Sequence, residues 1–208
     1  AARMQYLDLY ETRKDALRAQ VEMSYGVLDH YAKEAETGAM PLADAQKYAM
    51  AALQKMRSDA DVNYFNIYDT KYVLLMHPFR ADLVGKDMKD FRGEDGVRVY
   101  YDQVEAARKG GGYVAYTWAK PGKDGVVGKL AYAGMYKPWN WVVSSGVYMD
   151  DLQGQALKFT AIMTVAGGVL VLLVLGLSWI IGNRIVLRVP PAEPDRVATA
   201  VSYTHLTL

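Results

Sequence analysis

The stretch YVAYTWAKPGKDGVVGKLAYAGMYKPWNWVVSSGV, residues 113–147, decides the fold. Turn sequences divide it at Pro121–Gly125 and at Lys137-Pro138. The runs between these turns are rich in β-branched and aromatic residues, which favour strands. We predict three strands, at Tyr113–Ala119, Lys129–Met135 and Trp141–Val147. Because short turns join antiparallel neighbours, the stretch is expected to form part of an antiparallel sheet.

Two more strands are predicted upstream. Val62–Tyr68 and Tyr72–Met76 are β-rich runs, and Asp69-Thr70-Lys71 between them indicates a hairpin turn. The second run ends at His77-Pro78, because proline has no N–H to donate to a neighbouring strand. The sheet is therefore expected to have five strands.

Helical periodicity marks three other segments before residue 113, and a loop with Gly85 and Gly93 leads to the last of them. A long helix is predicted over residues 3–37 and a second helix over 42–57, with one apolar face formed by Leu42, Ala45, Ala49, Leu53 and Met56. A short helix over 97–109 ends at Gly110-Gly111-Gly112. The fold class is therefore α+β, with a five-stranded antiparallel sheet flanked by helices.

An uncharged run follows the sheet, from Phe159 to Asn183, with the sequence FTAIMTVAGGVLVLLVLGLSWIIGN. As a helix it would be about 37 Å long, more than the roughly 30 Å hydrocarbon core requires. We predict a transmembrane helix. Arg184, Arg188 and Arg196 follow it, so the positive-inside rule places the C-terminal side in the cytoplasm and residues 1–158 outside.

The composition excludes several classes of protein. The 208 residues carry 24 Lys and Arg against 23 Asp and Glu, are 51% apolar and include no cysteine. A disordered chain, a disulfide scaffold, a cysteine nucleophile and a nucleic-acid binder that depends on bulk positive charge are excluded. Three separated histidines do not suggest a metal site. Neither Gly128-Lys129 nor Ser144-Ser145-Gly146 completes a catalytic motif, so we expect no enzyme and no cofactor.

Some polar side chains are candidates for a pocket wall. Tyr64, Asn66 and Tyr68 share one face of their strand by alternation, which is either a pocket wall or a solvated sheet face. Tyr116 and Trp118 share a face of the next long strand, where they either orient a ligand or simply pack in the core.

Lys129 opens an apolar run and is the most informative residue. A lysine that turns inward must find a carboxylate or lose its proton, whereas a lysine at a strand start can extend to solvent. Lys129 and Tyr132 have opposite parity, so both can line one pocket only if a bulge separates them.

Six stretches of the chain, in order, resemble the single Cache domain of the second Cache subfamily. This is a PAS-like extracellular sensor of bacterial chemoreceptors and sensor kinases. The stretches are Tyr64–Ile67, Leu75–Pro78, Gly85–Asp87, Gly112–Trp118, Lys129–Tyr132 and Trp141–Asp151. One departure is Asn66, which stands where the family often has Trp.

The resemblance implies a division of the chain. Residues 1–37 are the long helix of the sensor, 38–155 the PAS-like ligand-binding domain, 156–183 the transmembrane helix and 184–208 a cytoplasmic stub that begins a HAMP-type linker. Since no export signal is visible, we expect a first membrane helix before residue 1. Val189–Pro194 fits such a linker poorly, so we expect a truncated or non-native end.

The resemblance also implies a function. We expect the periplasmic sensor region of a chemotaxis receptor in the bacterial inner membrane, which binds a short carboxylate and forms a homodimer. The ligand would displace the strand Trp141–Val147 and, through it, the membrane helix. The expected ligand-binding residues are Tyr64, Asn66, Tyr68, Met76, His77, Tyr116, Trp118, Lys129 and Tyr132.

Two alternatives remain open from the sequence. The same sensor can serve a histidine kinase or a cyclic-dinucleotide enzyme. A membrane-tethered interaction domain without a ligand would instead fill the pocket with its own side chains and turn Lys129 to solvent.

Overall fold

A five-stranded antiparallel sheet organises the part of the chain before the apolar run, as the sequence predicted. The structure is a computed structural model that describes residues 2–57, 63–122 and 124–186. The strands are β1 (Phe65–Asp69), β2 (Leu74–Met76), β3 (Gly112–Ala119), β4 (Val126–Tyr136) and β5 (Trp141–Tyr148). Their order across the sheet is β2-β1-β5-β4-β3, and every neighbouring pair is antiparallel.

Within the described residues, four α-helices accompany the sheet: α1 (Ala2–Glu36), α2 (Leu42–Lys55), α3 (Val99–Arg108) and α4 (Asp150–Val186). A 3₁₀ turn at Ala81–Leu83 lies between β2 and α3, and another at Lys137–Trp139 connects β4 to β5. The long first helix that the sequence predicted is confirmed. The contacts divide the chain into two units, Ala1–Lys158 and Phe159–Leu208.

One face of the sheet packs against α1 and α2. Its core is mainly aliphatic, because the helices and the strands both present their apolar stripes to this layer. The buried side chains include Leu17, Val21, Leu28, Leu53, Phe65, Ile67, Val143 and Val147.

The apolar face predicted for α2 is only partly right. Ala45, Ala49 and Leu53 are buried, but Leu42 is 53% and Met56 is 41% exposed. Leu42 is the first residue of the helix, where no preceding turn continues the stripe. Met56 is the C-cap and has an extended backbone, so it no longer follows the helical phase.

The opposite face of the sheet packs against α3 and the segment that leads to it. This core is rich in aromatic side chains, including Tyr68, Tyr100, Tyr116, Trp118 and Tyr148. Alternation along the strands separates the two layers, since Phe65 and Ile67 belong to the α1/α2 layer and Tyr68 to the α3 layer. We call these layers the aliphatic face and the aromatic face.

The second unit contains the apolar part of α4. From Lys158 to Arg184 this helix is long and apolar enough to cross a membrane. Residues 187–208 lie outside the described residues. The predicted start of a HAMP-type linker falls almost entirely there.

Candidate ligand-binding site

Lys129 occupies the interior of β4, because that strand begins at Val126, three residues earlier than the sequence suggested. Its partners are Tyr116 on β3 and Tyr148 on β5. Side chains directly opposite each other in a sheet lie on the same face, so Lys129 lies on the aromatic face. The residue is 3% exposed, which excludes the interpretation that it extends from a strand end into solvent.

The ammonium group of Lys129 lies between two tyrosine rings. Its Nζ is 3.9 Å from the ring centre of Tyr64 and 4.7 Å from that of Tyr148. Cation–π attraction of this kind stabilises a lysine only modestly. Within the described residues no carboxylate forms an ion pair with Lys129. Burial therefore lowers the pKa of Lys129 from 10.5 to about 7.

His77 lies next to Lys129 in the site, directly after β2. It is 2% exposed, and its Nδ1 accepts a hydrogen bond from the backbone N–H of Phe79 at 3.1 Å. Because Nδ1 accepts, the neutral ring carries its proton on Nε2, which is then a donor. Burial, followed by the charge of Lys129, lowers the pKa of His77 to about 3. The ring is consequently neutral near pH 7.

Aromatic rings close the space around these two groups. The ring of Tyr64 lies 5.1 Å from that of His77 and 5.1 Å from that of Phe79. Trp118 lies 6.1 Å from His77 and 5.9 Å from Tyr116. The side chains around Lys129 and His77 are thus mainly aromatic, and the tyrosines and the tryptophan among them carry polar tips.

The phenols of this wall remain protonated at neutral pH. Burial raises the pKa of Tyr64 and of Tyr116 well above the usual value of 10, and it raises that of Tyr148 to about 12. Each phenol is therefore a neutral donor. A buried lysine, a neutral imidazole N–H and phenolic hydroxyls together favour an anion over a cation.

Deeper on the aromatic face, polar atoms continue the wall. The hydroxyl of Tyr68 donates to Gln103 Oε1 at 2.5 Å. In the part of the chain that the structure describes, Asn66 Oδ1 and the hydroxyl of Tyr100 have no hydrogen-bond partner although both are buried. An unsatisfied buried polar atom costs about 1–3 kcal/mol, so a ligand that formed a hydrogen bond with either atom would recover part of this cost.

The structure brings most of the expected site residues to the aromatic face. Tyr64, Asn66, Tyr68, His77, Tyr116, Trp118 and Lys129 all lie on this side of the sheet or border it. Their roles in binding remain proposals.

Tyr132 does not join them. β4 pairs with both of its neighbours without a register shift, so no bulge separates Lys129 from Tyr132. Tyr132 therefore lies on the aliphatic face, where its ring centre is 5.0 Å from that of Tyr113. The expectation that it lines the pocket is wrong on this geometry.

Met76 is also on the other face. The β1–β2 pair shifts register between Ile67 and Tyr68, so Leu74 lies opposite Tyr68 but Met76 lies opposite Ile67. The irregularity moves Met76 to the aliphatic face. Its placement in the pocket is likewise wrong on this geometry, whereas the ring of His77, the next residue, lies 5.1 Å from that of Tyr64.

Three residues of this face were not among the expected site residues. Tyr148 contacts Lys129, Phe79 contacts His77, and Tyr100 contacts Trp118. Tyr148 is the last residue of β5, which was expected to end at Val147. Phe79 follows Pro78 in a loop, and Tyr100 lies on α3, which had not been assigned to a face of the sheet. For Tyr148, the alternation of β5 extended by one residue was the signal that could have found it.

The aromatic face of this α+β domain thus brings a buried lysine, a neutral imidazole and phenolic donors close together. Residues 9–161 match the model of the family described as Single Cache domain 2. The chain belongs to this family, and the resemblance inferred from the six stretches is confirmed.

Relatives of known class support the same grouping. The methyl-accepting chemotaxis protein McpP of Pseudomonas putida is 36% identical over 149 residues, which is 71% of this chain and 27% of that protein. The sensor histidine kinase MctS of Rhizobium johnstonii is 31% identical over 118 residues, 57% of this chain and 26% of that protein. The chain therefore spans about a quarter of the length of these relatives.

Two solved structures share the fold. One, described as the structural basis for carboxylic acid recognition by a Cache chemosensory domain, is 33% identical, covers 69% of this chain and 97% of that chain, and gives a TM-score of 0.65. The other, a periplasmic sensor domain of a chemotaxis protein, is 34% identical, covers 68% and 98%, and gives a TM-score of 0.64. The chain thus carries a sensor domain of the chemoreceptor kind.

Proposed function

We propose that this chain is the extracytoplasmic ligand-sensing region of a bacterial chemotaxis receptor and that it binds a short carboxylate. The observation that carries the proposal is Lys129, a buried lysine with two tyrosine rings around its Nζ and, among the described residues, no acidic partner. A carboxylate would supply the missing negative charge. Recognition of a carboxylic acid by a structural relative 33% identical to this chain supports the same ligand class.

Each polar group of the site has a part in binding. The Nζ of Lys129 in its charged form and the Nε2–H of His77 donate to the carboxylate, and the phenols of Tyr64 and Tyr116 supply further donors. Trp118 and Phe79 surround the remainder of the ligand with apolar surface. The aromatic walls on both sides favour a ligand of only a few carbon atoms, since a longer chain would have to displace a ring.

The start of α4 offers a route from the site toward the apolar helix. Tyr148 contacts Lys129 and donates its hydroxyl hydrogen to the carbonyl of Ala119 at 2.7 Å. Lys120, the next residue, forms an ion pair with Asp150 at 2.9 Å, and Asp150 is the first residue of α4. When a ligand draws Lys129 away from Tyr148, the balance of contacts around Lys120 and Asp150 changes. We infer that this change biases α4 between two arrangements.

The proposal extends to the membrane and to a second copy of the chain. Residues 158–184 would cross the bacterial inner membrane, with the sensor on the periplasmic side, as in the relative described as a periplasmic sensor domain. α1 would form a homodimer, and it carries the exposed apolar side chains of Leu7 and Met23.

The class of output is a separate question. The identity of 31% to a sensor histidine kinase favours a kinase as the second candidate, because the matched region is again the sensor. The alternative of an interaction domain without a ligand required Lys129 to face solvent, and its burial argues against that alternative.

A ligand screen of the full chain in lipid nanodiscs tests the proposal. Thermal unfolding of the sensor would be followed with acetate, propionate, amines, amino acids and sugars. A ligand at 100 times its Kd should add about 2.7 kcal/mol to the free energy of unfolding. We expect hits among the carboxylates, lost in Lys129→Met and kept in Lys47→Met, an exposed lysine on α2. A folded wild-type chain that no carboxylate stabilises would overturn the proposal.

A further inference from the structure

Gly146 occupies the middle of β5, a position where a glycine normally weakens a strand. Its backbone does not explain the choice, because Gly146 is not among the glycines with a positive φ. The reason for a glycine at position 146 must therefore lie in the side chains that pack around it.

The side chain of Lys129 supplies that reason. A Cβ atom built on Gly146 would lie 2.7 Å from Cε of Lys129, closer than real Cβ contacts allow. It would also lie 3.0 Å from the carbonyl oxygen of Leu130 and 3.1 Å from Cβ of Ala131. The space over Gly146 is thus filled by the aliphatic part of Lys129.

The sheet order explains why Lys129 takes this route. Lys129 is on β4, and the ring that its ammonium contacts belongs to Tyr64, which directly precedes β1. β5 lies between these two strands, so the side chain must cross β5 to reach Tyr64. Neighbouring strands are about 4.8 Å apart. A lysine side chain can therefore reach across β5 only if it runs close to the backbone of that strand.

Gly146 is the residue of β5 at this crossing. It pairs with Ala131, which follows Lys129 by two residues on the same face of β4. On its other side, Ser145 pairs with Phe65 and donates its hydroxyl hydrogen to the carbonyl of Tyr64 at 3.1 Å. Tyr64 is thereby held against β5 beside the glycine.

We propose that Gly146 is the positioning residue of the anion site. Its missing side chain lets Lys129 cross β5, and this crossing places the ammonium group against the ring of Tyr64. The effect on ligand affinity rests on the function proposed above, whereas the steric coupling between Gly146 and Lys129 does not.

Alanine at position 146 should move the ammonium group of Lys129 and leave the backbone of the sheet largely in place. The closest clash is with Cε, near the flexible end of Lys129, which moves more easily than backbone. The Lys129 ammonium would then leave its place over Tyr64, and the affinity for a carboxylate would fall. We expect a loss of roughly tenfold to a hundredfold, the range for losing a hydrogen bond to a charged group.

The test compares Gly146→Ala, Lys129→Ala and the double variant, all in the full chain in nanodiscs. The matched control is Gly128→Ala in β4, where a new Cβ would meet only Cβ of Met149 at an ordinary 3.8 Å. Three quantities are measured, of which two are the Kd for acetate and propionate and the Tm without ligand. A third, the pKa of Lys129 from ¹³C-labelled lysine, reports the position of the ammonium.

We expect Gly146→Ala to weaken carboxylate binding and to move the pKa of Lys129 back toward 10.5, while Gly128→Ala changes neither. Gly146→Ala should lower Tm less when Lys129 is already alanine, because the clash with Cε is gone. A single variant that fails to fold while the double variant folds would support the same steric coupling.

Gly146→Ala with wild-type affinity and an unchanged Lys129 pKa would overturn the inference. So would an equal loss of Tm in both backgrounds, or loss of folding in both, because the contacts with Leu130 and Ala131 would then dominate. If the wild type binds no carboxylate but the Tm values are coupled, the proposed function fails and the steric coupling between Gly146 and Lys129 stands.

Discussion

The two faces of one sheet differ in what they bury. The aliphatic face packs strand side chains such as Phe65, Ile67 and Leu130 against α1 and α2. The aromatic face buries Lys129, His77 and Asn66 with little or no exposure to solvent. Both sets come largely from the same strands, one residue apart, so the difference arises from the alternation of side chains and not from separate parts of the chain.

This difference separates stability from recognition. Buried aliphatic side chains stabilise the domain, whereas a buried lysine and histidine reduce its stability because their charged forms are disfavoured there. Groups with strongly shifted pKa values tend to be kept where a function needs them. Substitutions on one face should therefore change mainly the free energy of unfolding, and substitutions on the other should change mainly the affinity for a carboxylate.

The largest effect on stability is expected from Leu28→Ala on the aliphatic face. Leu28 is fully buried, and removing such a side chain costs about 2–5 kcal/mol in the free energy of unfolding. Chemical denaturation measures the loss, and calorimetric titration with acetate and propionate below the transition should give the wild-type Kd. A large change in Kd with little loss of stability would show that the two faces are not independent.

Lys129→Met is expected to weaken carboxylate binding strongly and to leave the stability of the fold largely unchanged. Methionine fills similar space without the charge, so we expect the free energy of unfolding near pH 7 to stay level or rise. Carboxylate affinity should fall by roughly a hundredfold, since a charge-assisted contact is lost. Calorimetric titration measures the Kd and chemical denaturation measures the free energy of unfolding. Lys47→Met, at an exposed lysine, is the control. A destabilised variant that still binds would assign Lys129 to the core.

The pH dependence of carboxylate affinity should report Lys129. Its pKa in the ligand-free fold is about 7, and the ligand requires the charged form. Affinity should therefore fall above pH 7 and level off about one pH unit below it. The expected slope is about tenfold per pH unit between pH 8 and 9.5. Calorimetric titrations across this pH range measure the slope. The carboxylate affinity of Lys129→Met should not change with pH in the same range. A flat profile for the wild type would remove Lys129 from the site.

Stability without ligand should change with pH through His77 as well. Its pKa is lowered from 6.5 to about 3 in the fold, so between these values the unfolded chain binds more protons than the native chain. The free energy of unfolding is therefore retained above pH 6.5 and lost as pH falls toward 3. Denaturation of His77→Gln should show a shallower loss in this range than the wild type. Identical profiles would mean that the imidazole is not buried in its neutral form.

The smallest effect is expected from Tyr132→Phe. Tyr132 lies on the aliphatic face, so removing its hydroxyl should leave the Kd for acetate or propionate within about twofold of the wild type. Tyr64→Phe, the same change on the aromatic face, serves as the comparison and should weaken binding measurably. Equal losses in the two variants would contradict the division between the faces.

Much of this division could be predicted from the sequence. The five strands, the long first helix and the placement of Phe65 and Ile67 opposite Tyr64 and Tyr68 follow from hydrophobic period and turn residues. Lys129 was identified because a lysine in an apolar strand needs a special environment. These features are local, and local patterns are what a sequence displays directly.

The errors arose where pairing decides the outcome. Met76 changed face because the β1–β2 register shifts by one residue, and Tyr132 stayed on its own face because β4 has no bulge. Neither is visible in a single strand. The order β2-β1-β5-β4-β3, which makes Lys129 cross β5 at Gly146, likewise depends on contacts between distant segments. Tyr148 was missed because a strand end was placed one residue too early.

The most direct test of the account is the number of protons taken up when a carboxylate binds. Calorimetric titration of the full chain with acetate or propionate at pH 8, in two buffers of different ionisation enthalpy, measures this number. Because the pKa of Lys129 is about 7, the ligand-free lysine is mostly neutral at pH 8 and must become charged on binding. We expect an uptake close to one proton per bound carboxylate. Carboxylate binding with no proton uptake would contradict this expectation.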